Sequence, residues 1–273
     1  MNSVLKKTLL SSLVVPFAMG VQSASAALVT SWAYDVDSTL TVLTVDPGDG
    51  SVSGSGTNKL EWGVITPLHP QKSSVEIEDV VGGTGLLTGG PAVAGGTFTH
   101  NNFVIGADDE ALLTFDLESV LTLTPELPPG PAQAPLSTTF KSFFKETDNV
   151  EGDCFDTSVS DCDDIFTLGN LAALGGNPTA DGFEFSQSFN YNGFTYDVFL
   201  EVAGLMELSN EACATAGAPN GCVGLQTVEN AQNDFETSFR ITARPVPEPG
   251  TLALLGLGLA GLGLSRRRKA AKS

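Results

Sequence analysis

His100 is the residue whose type and setting are best suited to acid–base chemistry. It stands in the run Thr99-His100-Asn101-Asn102, and His69 is the only other histidine. In a Ser-His-Asp triad a neutral imidazole takes the proton of a hydroxyl nucleophile. The sequence, however, contains no G-x-S-x-G elbow, H-E-x-x-H motif or Walker loop. We therefore expect that the protein is not an enzyme. We expect the motif to have a local role, in which its Thr and Asn side chains bond nearby backbone groups where a strand begins. His100 would bridge to a neighbouring loop.

The acidic stretch "DNVEGDCFDTSVSDCDD", residues 148–164, is a second candidate site. Carboxylate oxygens are the ligands that calcium prefers, and extracellular modules bind this ion with millimolar affinity. The spacing does not match an EF-hand loop, because no glycine follows a D-x-D-x-D array. A solvated acidic loop is the interpretation that we favour, and a calcium site is the alternative. The candidate ligands are Asp153, Asp156, Asp161, Asp163 and Asp164.

Four cysteines form two closely spaced pairs. Cys154 and Cys162 bracket "FDTSVSD", and Cys213 and Cys222 bracket "ATAGAPNG". In an oxidising compartment these spacings predict one disulfide within each pair, although four cysteines allow three pairings. Zinc is the competing interpretation, but zinc ligands usually stand two to four residues apart and neither histidine lies near a cysteine.

Charge excludes one class of partner. Between Ala27 and Pro247 the chain has six Lys and Arg against 31 Asp and Glu, so this segment carries a net charge of about −25. Nucleic-acid binding requires cations that neutralise phosphates, so we exclude it. Solubility outside the cell explains the charge most simply, and a divalent cation or a polycationic surface would also suit it.

The sequence pattern predicts that the secondary-structure elements that carry these residues are β-strands. In "GFEFSQSFNYNGFTYDVFLEV" the Asn192-Gly193 pair predicts a two-residue hairpin that sets Phe189 opposite Tyr196 and Phe185 opposite Leu200, all on one face. Apolar residues also alternate with polar ones in two further segments and around residues 40–45. One face of the first segment consists of Leu113, Phe115, Leu117, Leu121 and Leu123, and one face of the second consists of Phe235, Thr237, Phe239 and Ile241. We predict an all-β fold, an antiparallel, jelly-roll-like β-sandwich over residues 27–244.

The N-terminus has the order of a secretory signal. Lys6 and Lys7 precede an apolar run that ends near Met19, and Ala24-Ser25-Ala26 has the small-x-small form that signal peptidase accepts. We predict that residues 1–26 are a signal peptide cleaved after Ala26.

The C-terminus combines a proline motif, an apolar segment and a basic cluster. Residues 251–264 are uncharged, a length shorter than the roughly 20 residues that span a bilayer comfortably. They are preceded by Pro247, Glu248 and Pro249, which hold the chain extended, and are followed by a cluster that favours the cytoplasmic side. That cluster consists of Arg266, Arg267, Arg268 and Lys269.

This arrangement resembles the PEP-CTERM sorting signal of Gram-negative bacteria, here over residues 245–269. The resemblance implies a short transmembrane helix that anchors the chain transiently in the inner membrane. It also implies recognition of Pro247, Glu248 and Pro249 by an exosortase, with Arg266, Arg267 and Arg268 as the stop. The apolar segment would be removed and the acidic domain delivered to the cell surface or the exopolysaccharide matrix.

The motif around His100 carries a second resemblance. "THNN" follows the Gly-rich stretch "GGPAVAGGTF", and "LEWG" lies upstream at residues 60–63. Together with the sorting signal this resembles the THxN family of PEP-CTERM proteins, whose motif positions here are Thr99, His100 and Asn102. That family brings no established activity and assigns no role to these residues.

We therefore predict a secreted surface or exopolysaccharide-matrix protein with a structural or adhesive role and no enzymatic activity. Its predicted partners are signal peptidase, an exosortase, the membrane before processing and exopolysaccharide. A calcium-assisted carbohydrate-binding module that uses Trp32, Trp62 and Tyr34 as exposed aromatics is the alternative, and an extracellular hydrolase centred on His100 is the third hypothesis.

Overall fold

The fold is an antiparallel β-sandwich of two seven-stranded sheets. The structure is a computed structural model that describes residues 27–149, 158–160, 162–246 and 256–259. Within these ranges the first sheet has the strand order β12-β13-β8-β7-β6-β1-β4, and the second has the order β2-β3-β5-β14-β11-β10-β9. The strands are β1 (Ser31–Asp46), β2 (Lys59–Trp62), β3 (Ser73–Ile77), β4 (Val80–Leu87), β5 (Val93–Asn102), β6 (Ala111–Leu127), β7 (Leu136–Lys145), β8 (Asp164–Leu168), β9 (Asn177–Pro178), β10 (Gly182–Tyr191), β11 (Phe194–Ala203), β12 (Met206–Glu207), β13 (Val223–Thr227) and β14 (Ala231–Pro245).

The predicted hairpin is confirmed in its turn and its register. Asn192 and Gly193 both have positive φ, as a two-residue hairpin turn requires, and β10 pairs with β11 across them. Phe189 lies opposite Tyr196, and Phe185 lies opposite Leu200. The Asn-Gly turn sets the register and the register places the aromatic residues inside, so local sequence and burial agree.

Strand β6 departs from simple alternation at its start. The register with β1 shifts on both sides of the pair Thr44 and Thr114, and beyond it Leu112 lies opposite Val45. The shift turns the side chain of Leu112 into the core, where it is fully buried, whereas Leu113 is only half-buried. The prediction that Leu113 shares the inner face of Phe115 is therefore wrong, because an irregularity in the ladder reverses the order of faces.

Two hydrophobic clusters fill the space between the sheets. One joins residues such as Phe115 and Phe166 of the first sheet to Phe98 of the second. The other centres on Trp32, whose ring packs edge-on to Tyr196 with ring centroids 5.0 Å apart. Each cluster contains side chains of both sheets, so burial of these apolar surfaces holds the sandwich together.

The predicted all-β fold is confirmed in its two antiparallel sheets, whose strand order combines consecutive neighbours with neighbours distant in the chain. Strands β6, β7 and β8 are successive neighbours in one sheet, and β10 and β11 are neighbours in the other. Other neighbours are far apart in the chain: β1 pairs with β6 and β4, and β14 pairs with β5 and β11. The chain is thus an all-β sandwich that combines hairpins with long-range strand pairs.

Within the described residues up to 246, two short helices lie outside the sheets, α1 (Leu171–Leu174) and α2 (Asn210–Thr215). The hydroxyl of Ser209 caps α2 by accepting the Ala212 N–H at 3.1 Å. Helix α2 also carries Cys213, which forms a disulfide with Cys222 in a small buried cluster against Ile165. This is one of the two predicted pairs. Cys162 is disulfide-bonded as well, and its predicted partner Cys154 lies outside the described residues.

Removal of the Cys213–Cys222 disulfide should destabilise the protein. Its loop has a sequence separation of 9, so its closure removes enough unfolded-state entropy to contribute about 3 kcal/mol. We expect the double substitution Cys213→Ala and Cys222→Ala to lower the free energy of unfolding by about that amount in urea titrations. Thr215→Ala, an exposed change on the same helix, is the control and should leave stability unchanged. Equal stability of the double variant and the control would contradict this prediction.

The C-terminal segment is described only in part. Residues 256–259 are helical, and the rest of the predicted anchor helix lies outside the described residues. Among the residues described, no helix has both the length and the apolar character needed to cross a membrane.

Candidate functional site: a buried polar cluster at the Thr-His-Asn-Asn motif

The Thr-His-Asn-Asn motif forms the end of β5, not a strand entry. Strand β5 lies inside the second sheet, hydrogen-bonded to β3 on one side and to β14 on the other. Because side chains alternate along a strand, His100 and Asn102 share the inner face with Phe98, and they are 1% and 0% exposed. The motif therefore directs two polar side chains into the space between the sheets.

His100 is enclosed by aromatic rings and hydrogen-bonded to the opposite sheet. The ring of Trp62 stacks against its imidazole with ring centroids 5.8 Å apart. The ring of Phe144 packs edge-on to it with centroids 5.2 Å apart. Its Nδ1 lies 2.8 Å from Oγ1 of Thr227, and its Nε2 lies 3.8 Å from Oδ2 of Asp164. The predicted bridge to a neighbouring loop is thus wrong, because these partners belong to β13 and β8, which lie in the other sheet.

The hydrogen bonds of Thr227 determine the tautomer of His100. The Thr227 hydroxyl donates its single proton to the carbonyl oxygen of Asp164 at 3.2 Å, so it accepts from His100 Nδ1–H. The unprotonated Nε2 then faces the carboxyl group of Asp164. Burial lowers the pKa of His100 to about 3, so the ring is neutral at physiological pH.

Asn102 ties the same two sheets together. Its amide nitrogen donates to the carbonyl oxygen of Thr227 at 3.0 Å and to Oε1 of Glu229 at 2.9 Å. Thr99 lies on the other face of β5, where its hydroxyl donates to Oδ1 of Asp234 at 2.7 Å and lowers the pKa of that carboxyl group. The motif residues therefore bond mainly to side chains and to the opposite sheet, and the predicted bonds to nearby backbone are not those found.

Two carboxyl groups that the sequence analysis did not single out as partners of His100 complete the cluster. Glu146 follows β7, and its Oε2 accepts the Trp62 Nε1–H at 2.6 Å. Burial and, to a smaller extent, the nearby Glu229 raise the pKa of Glu146 to about 8. Asp164 begins β8, and its Oδ1 accepts the Thr147 N–H at 2.8 Å. Burial, Glu146 and Glu229 raise the pKa of Asp164.

Several atoms of the cluster lack hydrogen-bond partners although they are buried. Within the described part of the chain these atoms are Nε2 of His100, Oδ1 of Asn102, Oε1 of Glu146 and Oδ2 of Asp164. An unpaired buried polar group lowers the free energy of unfolding by about 1–3 kcal/mol, so these atoms destabilise this end of the sandwich. Protonation of Glu146, whose pKa is about 8, reduces that cost at neutral pH, since it removes buried charge.

The enclosed position of His100 makes it a link between the sheets. A general base must come within hydrogen-bond distance of the proton that it removes from a substrate. Both faces of this imidazole are covered, and its Nδ1 is bonded to Thr227. The geometry suits a structural clamp that joins β5 to β8 and β13.

The described members of the predicted calcium set have separate partners. Asp163 accepts the backbone N–H groups of Val159 and Ser160, each at 3.0 Å, in a tight local turn. Asp164 instead bonds Thr147 and faces His100. Among the described residues no three His, Cys, Asp or Glu side chains are grouped so that they could hold a metal ion. Asp153, Asp156 and Asp161 lie outside those residues, and the calcium site stays a prediction.

The three aromatics proposed as an exposed carbohydrate platform are buried. Trp32 and Trp62 are 0% exposed, and Tyr34 is 5% exposed. Each polar tip has a partner inside the protein: Trp32 bonds Thr88, Trp62 bonds Glu146, and Tyr34 bonds the carbonyl oxygen of Ala94. These side chains form the core, so the prediction that they are exposed is wrong.

Comparison with known proteins bears on the C-terminus. Residues 245–269 match the family described as the PEP-CTERM protein-sorting motif. The chain carries a PEP-CTERM sorting motif. The predicted recognition residues Pro247, Glu248 and Pro249 and the basic residues Arg266, Arg267 and Arg268 fall within this match and outside the described residues. No curated protein and no solved structure matched the chain.

Proposed function

We propose that the chain is an exosortase-processed protein of the cell surface or exopolysaccharide matrix, with a structural or adhesive role and no enzymatic activity. The observation that carries this proposal is the sorting motif at residues 245–269, which implies export and processing by an exosortase. The acidic sandwich is the part that would be delivered. We assign it to the THxN family on Thr99, His100 and Asn102.

The architecture supports a structural role. The polar residues of the motif are used to join the two sheets, and the largest aromatic side chains fill the core. The Cys213–Cys222 disulfide suits an oxidising compartment outside the cytoplasm. A rigid domain of high negative charge would remain soluble and resist self-association until it meets a cationic or cation-bridged partner.

A calcium-assisted carbohydrate-binding module remains the alternative function. One observation favours it, a groove of about 710 Å³ that is lined by five carboxyl groups. They belong to Glu78, Asp79, Asp181, Glu201 and Glu236. Such a groove would bind sugar hydroxyls through carboxylate oxygens instead of through exposed aromatic rings.

Replacement of Pro247, Glu248 and Pro249 by alanine should abolish sorting. We expect the wild-type protein in the surface and matrix fraction of its native host to have a mass that corresponds to a chain beginning at Ala27 and ending near Pro249. The variant should remain in the membrane fraction with its C-terminal segment attached, because the exosortase would lack its recognition tripeptide. Intact-mass measurement on both fractions tests this.

A matched control is Val81→Ala, since Val81 is 87% exposed and lies far from the motif in sequence. It should be sorted like the wild type. Recovery of the triple variant from the surface fraction without its C-terminal segment would overturn the assigned role of the tripeptide, and a wild-type surface protein that keeps that segment would overturn exosortase processing.

A further inference from the structure

One end of the sandwich carries a group of exposed leucines. Strand β1 begins there at Ser31, which lies opposite Leu87 at the end of β4 and opposite Leu127 at the end of β6. Leu28, Leu87 and Leu127 are exposed, Leu127 by 60%. Neighbouring strands lie about 4.8 Å apart, and the Thr30 N–H donates to the carbonyl oxygen of Leu127, so all three leucines lie at this end of the first sheet. We call them the leucine rim.

The chain leaves the sandwich at the same end. Strand β14 pairs with β11 and ends at Pro245 beside the β10–β11 turn, where the Val246 N–H donates to the carbonyl oxygen of Gly193 at 2.9 Å. Near this turn the hydroxyl of Tyr196 accepts the Val29 N–H at 2.8 Å, which joins the second sheet to the start of β1. The exit point of the chain and the leucine rim therefore share one end of the domain.

This end is nearly neutral although the domain as a whole is strongly acidic. The segments that form it contain one acidic residue, Glu126, and one basic residue, Arg244. Glu126 accepts the hydroxyl proton of Ser31 at 2.7 Å, and Arg244 pairs with Asp197. An exposed apolar rim without surrounding charge is typical of a surface that contacts an apolar partner. The segments are 27–31, 87–92, 126–135, 190–195 and 243–246.

The opposite end of the sandwich is acidic. Strand β1 has 16 residues, so the two ends lie about 50 Å apart. At the far end Asp46 lies opposite Ala111, and the carbonyl oxygen of Asp108 accepts the Asp49 N–H. The domain is thus electrically polarised along its strands, with the acidic end far from the exit point of the chain. Segments 46–49, 108–110 and 146–148 of the far end contain seven Asp and Glu and no Lys or Arg.

The length of the C-terminal connection limits where this domain can lie before processing. In the proposed function the apolar segment 251–264 is held in the membrane until the exosortase removes it. Residues 247–250 separate Val246 from that segment and span at most about 14 Å. The leucine rim is therefore kept close to the lipid, and a connection this short supplies an effective concentration in the millimolar range. A contact that would be weak in solution is then sufficient.

We propose that the leucine rim docks on the lipid surface of the membrane while the precursor is anchored, an inference that rests on the proposed function. Leu28, Leu87 and Leu127 enter the boundary between headgroups and acyl chains, where apolar side chains are buried. Anionic headgroups repel the acidic end, so the strands point away from the surface. The docked rim fixes the height of Pro247, Glu248 and Pro249 above the lipid and presents the tripeptide at a constant depth.

Quenching by brominated lipid tests the contact directly. The chain from Ala27 to Ser273 is reconstituted in vesicles of phosphatidylcholine and phosphatidylglycerol whose acyl chains carry bromine, which quenches tryptophan only at short range. Leu127→Trp places a reporter on the rim. Leu68→Trp is the matched control, because Leu68 is also exposed but follows β2 at the acidic end. The native Trp32 and Trp62 are buried and give both variants the same background.

We expect brominated lipid to remove most of the emission that Leu127→Trp adds and to leave the emission of Leu68→Trp unchanged. Equal quenching of the two reporters, or none at Leu127→Trp, would overturn the docking. A second copy of the chain that covers the rim would shift the emission of Leu127→Trp without quenching, which also overturns it.

Flotation of the same vesicles separates this inference from the proposed function. A chain that floats with the vesicles but shows no quenching at the rim contradicts the docking and leaves membrane anchoring intact. A chain that does not float contradicts the anchoring on which the proposed processing depends, and the docking fails with it.

Charged substitutions test what the docking does for processing. Leu87→Asp together with Leu127→Asp should lower the ratio of processed protein to membrane-bound precursor severalfold in the native host, because a charged rim no longer enters the lipid boundary. Ile65→Asp together with Leu68→Asp changes two exposed apolar residues at the acidic end and should be processed like the wild type. An equal ratio for the two double variants would overturn the role of the rim in presenting the tripeptide.

Discussion

Replacing Trp62 with alanine is expected to lower the free energy of unfolding by about 4 kcal/mol. Trp62 is fully buried at the end of β2 and contacts the rings of His100 and Phe144. Its removal would leave a large cavity and take away the N–H that orients Glu146. The loss therefore combines the transfer and cavity cost of a large aromatic side chain with one unpaired buried carboxyl oxygen. Urea titration monitored by circular dichroism measures the effect.

Two further variants serve as controls for the Trp62→Ala measurement. Leu68→Ala removes a side chain that is 86% exposed, so it should change stability by less than about 0.5 kcal/mol. Trp62→Phe keeps aromatic packing but loses the hydrogen bond to Glu146, and it should fall between the other two. A Trp62→Ala variant as stable as Leu68→Ala would show that the ring contacts at His100 contribute little to the fold.

The part of the fold that could be predicted is the part in which local signals and alternation agree. The Asn192-Gly193 turn determines both conformation and register, so the β10–β11 hairpin was confirmed residue by residue. In β14, Phe239 and Ile241 are buried as the alternation predicts. Where the ladder between β1 and β6 shifts, Leu112 replaces Leu113 in the core. Nothing in an alternating pattern marks a bulge, so that error could not be avoided.

The polar cluster was missed because acidic residues are ordinarily read as solvated. The alternation of side chains along each strand did indicate that these acidic residues point inward. Glu146 continues the inward series of Phe140 and Phe144 by two residues, and Asp164 shares its face with Phe166. The same parity joins His100 and Asn102 to Phe98. Polar residues that continue an inward-facing apolar series indicate a buried polar network when their strands meet at one end of a sandwich. This inference requires that the neighbouring strands are known.

The neighbours themselves could not be predicted. His100 reaches Thr227 and Asp164 across sequence distances of 127 and 64 residues, and these contacts depend on which strands face each other in the two sheets. A single sequence carries no direct record of that pairing. The Thr-His-Asn-Asn motif could therefore be picked out in the sequence, while its contacts between the two sheets emerged only from the topology.

The second large expected effect is a loss of stability as the pH rises from 6.5 to about 8. Glu146 keeps a proton in the folded protein up to a pH of about 8, whereas its ordinary pKa is 4.5. Its contribution to stability is full below pH 4.5 and is lost as the pH rises through about 8. The raised pKa of Asp164 acts in the same direction. The slope should approach about 1.4 kcal/mol per pH unit for each proton retained by the folded state.

The contribution of His100 to stability changes with pH in the opposite direction, and it sets the lower limit of the pH range in which stability falls. Its pKa is about 3 in the folded protein against an ordinary value of 6.5, so its contribution is full above pH 6.5 and is lost as the pH falls towards 3. Between pH 4.5 and 6.5 the two effects nearly cancel, because the folded state holds a proton on Glu146 while the unfolded state holds one on His100. Above pH 6.5 the effect of His100 no longer changes, and stability falls as the pH approaches the pKa of Glu146 at about 8.

Glu146→Gln isolates the contribution of this carboxyl group. The amide cannot ionise, so the variant should show a smaller decline in unfolding free energy than the wild type from pH 6.5 to about 8, measured in urea at constant ionic strength. Glu236→Gln removes one exposed carboxyl group of the same type and should keep the wild-type slope, which separates the effect of Glu146 from the general repulsion of a protein with a high negative charge. Parallel slopes for all three proteins would mean that Glu146 is ionised at neutral pH, and the buried cluster would then hold a charge that some other group must neutralise.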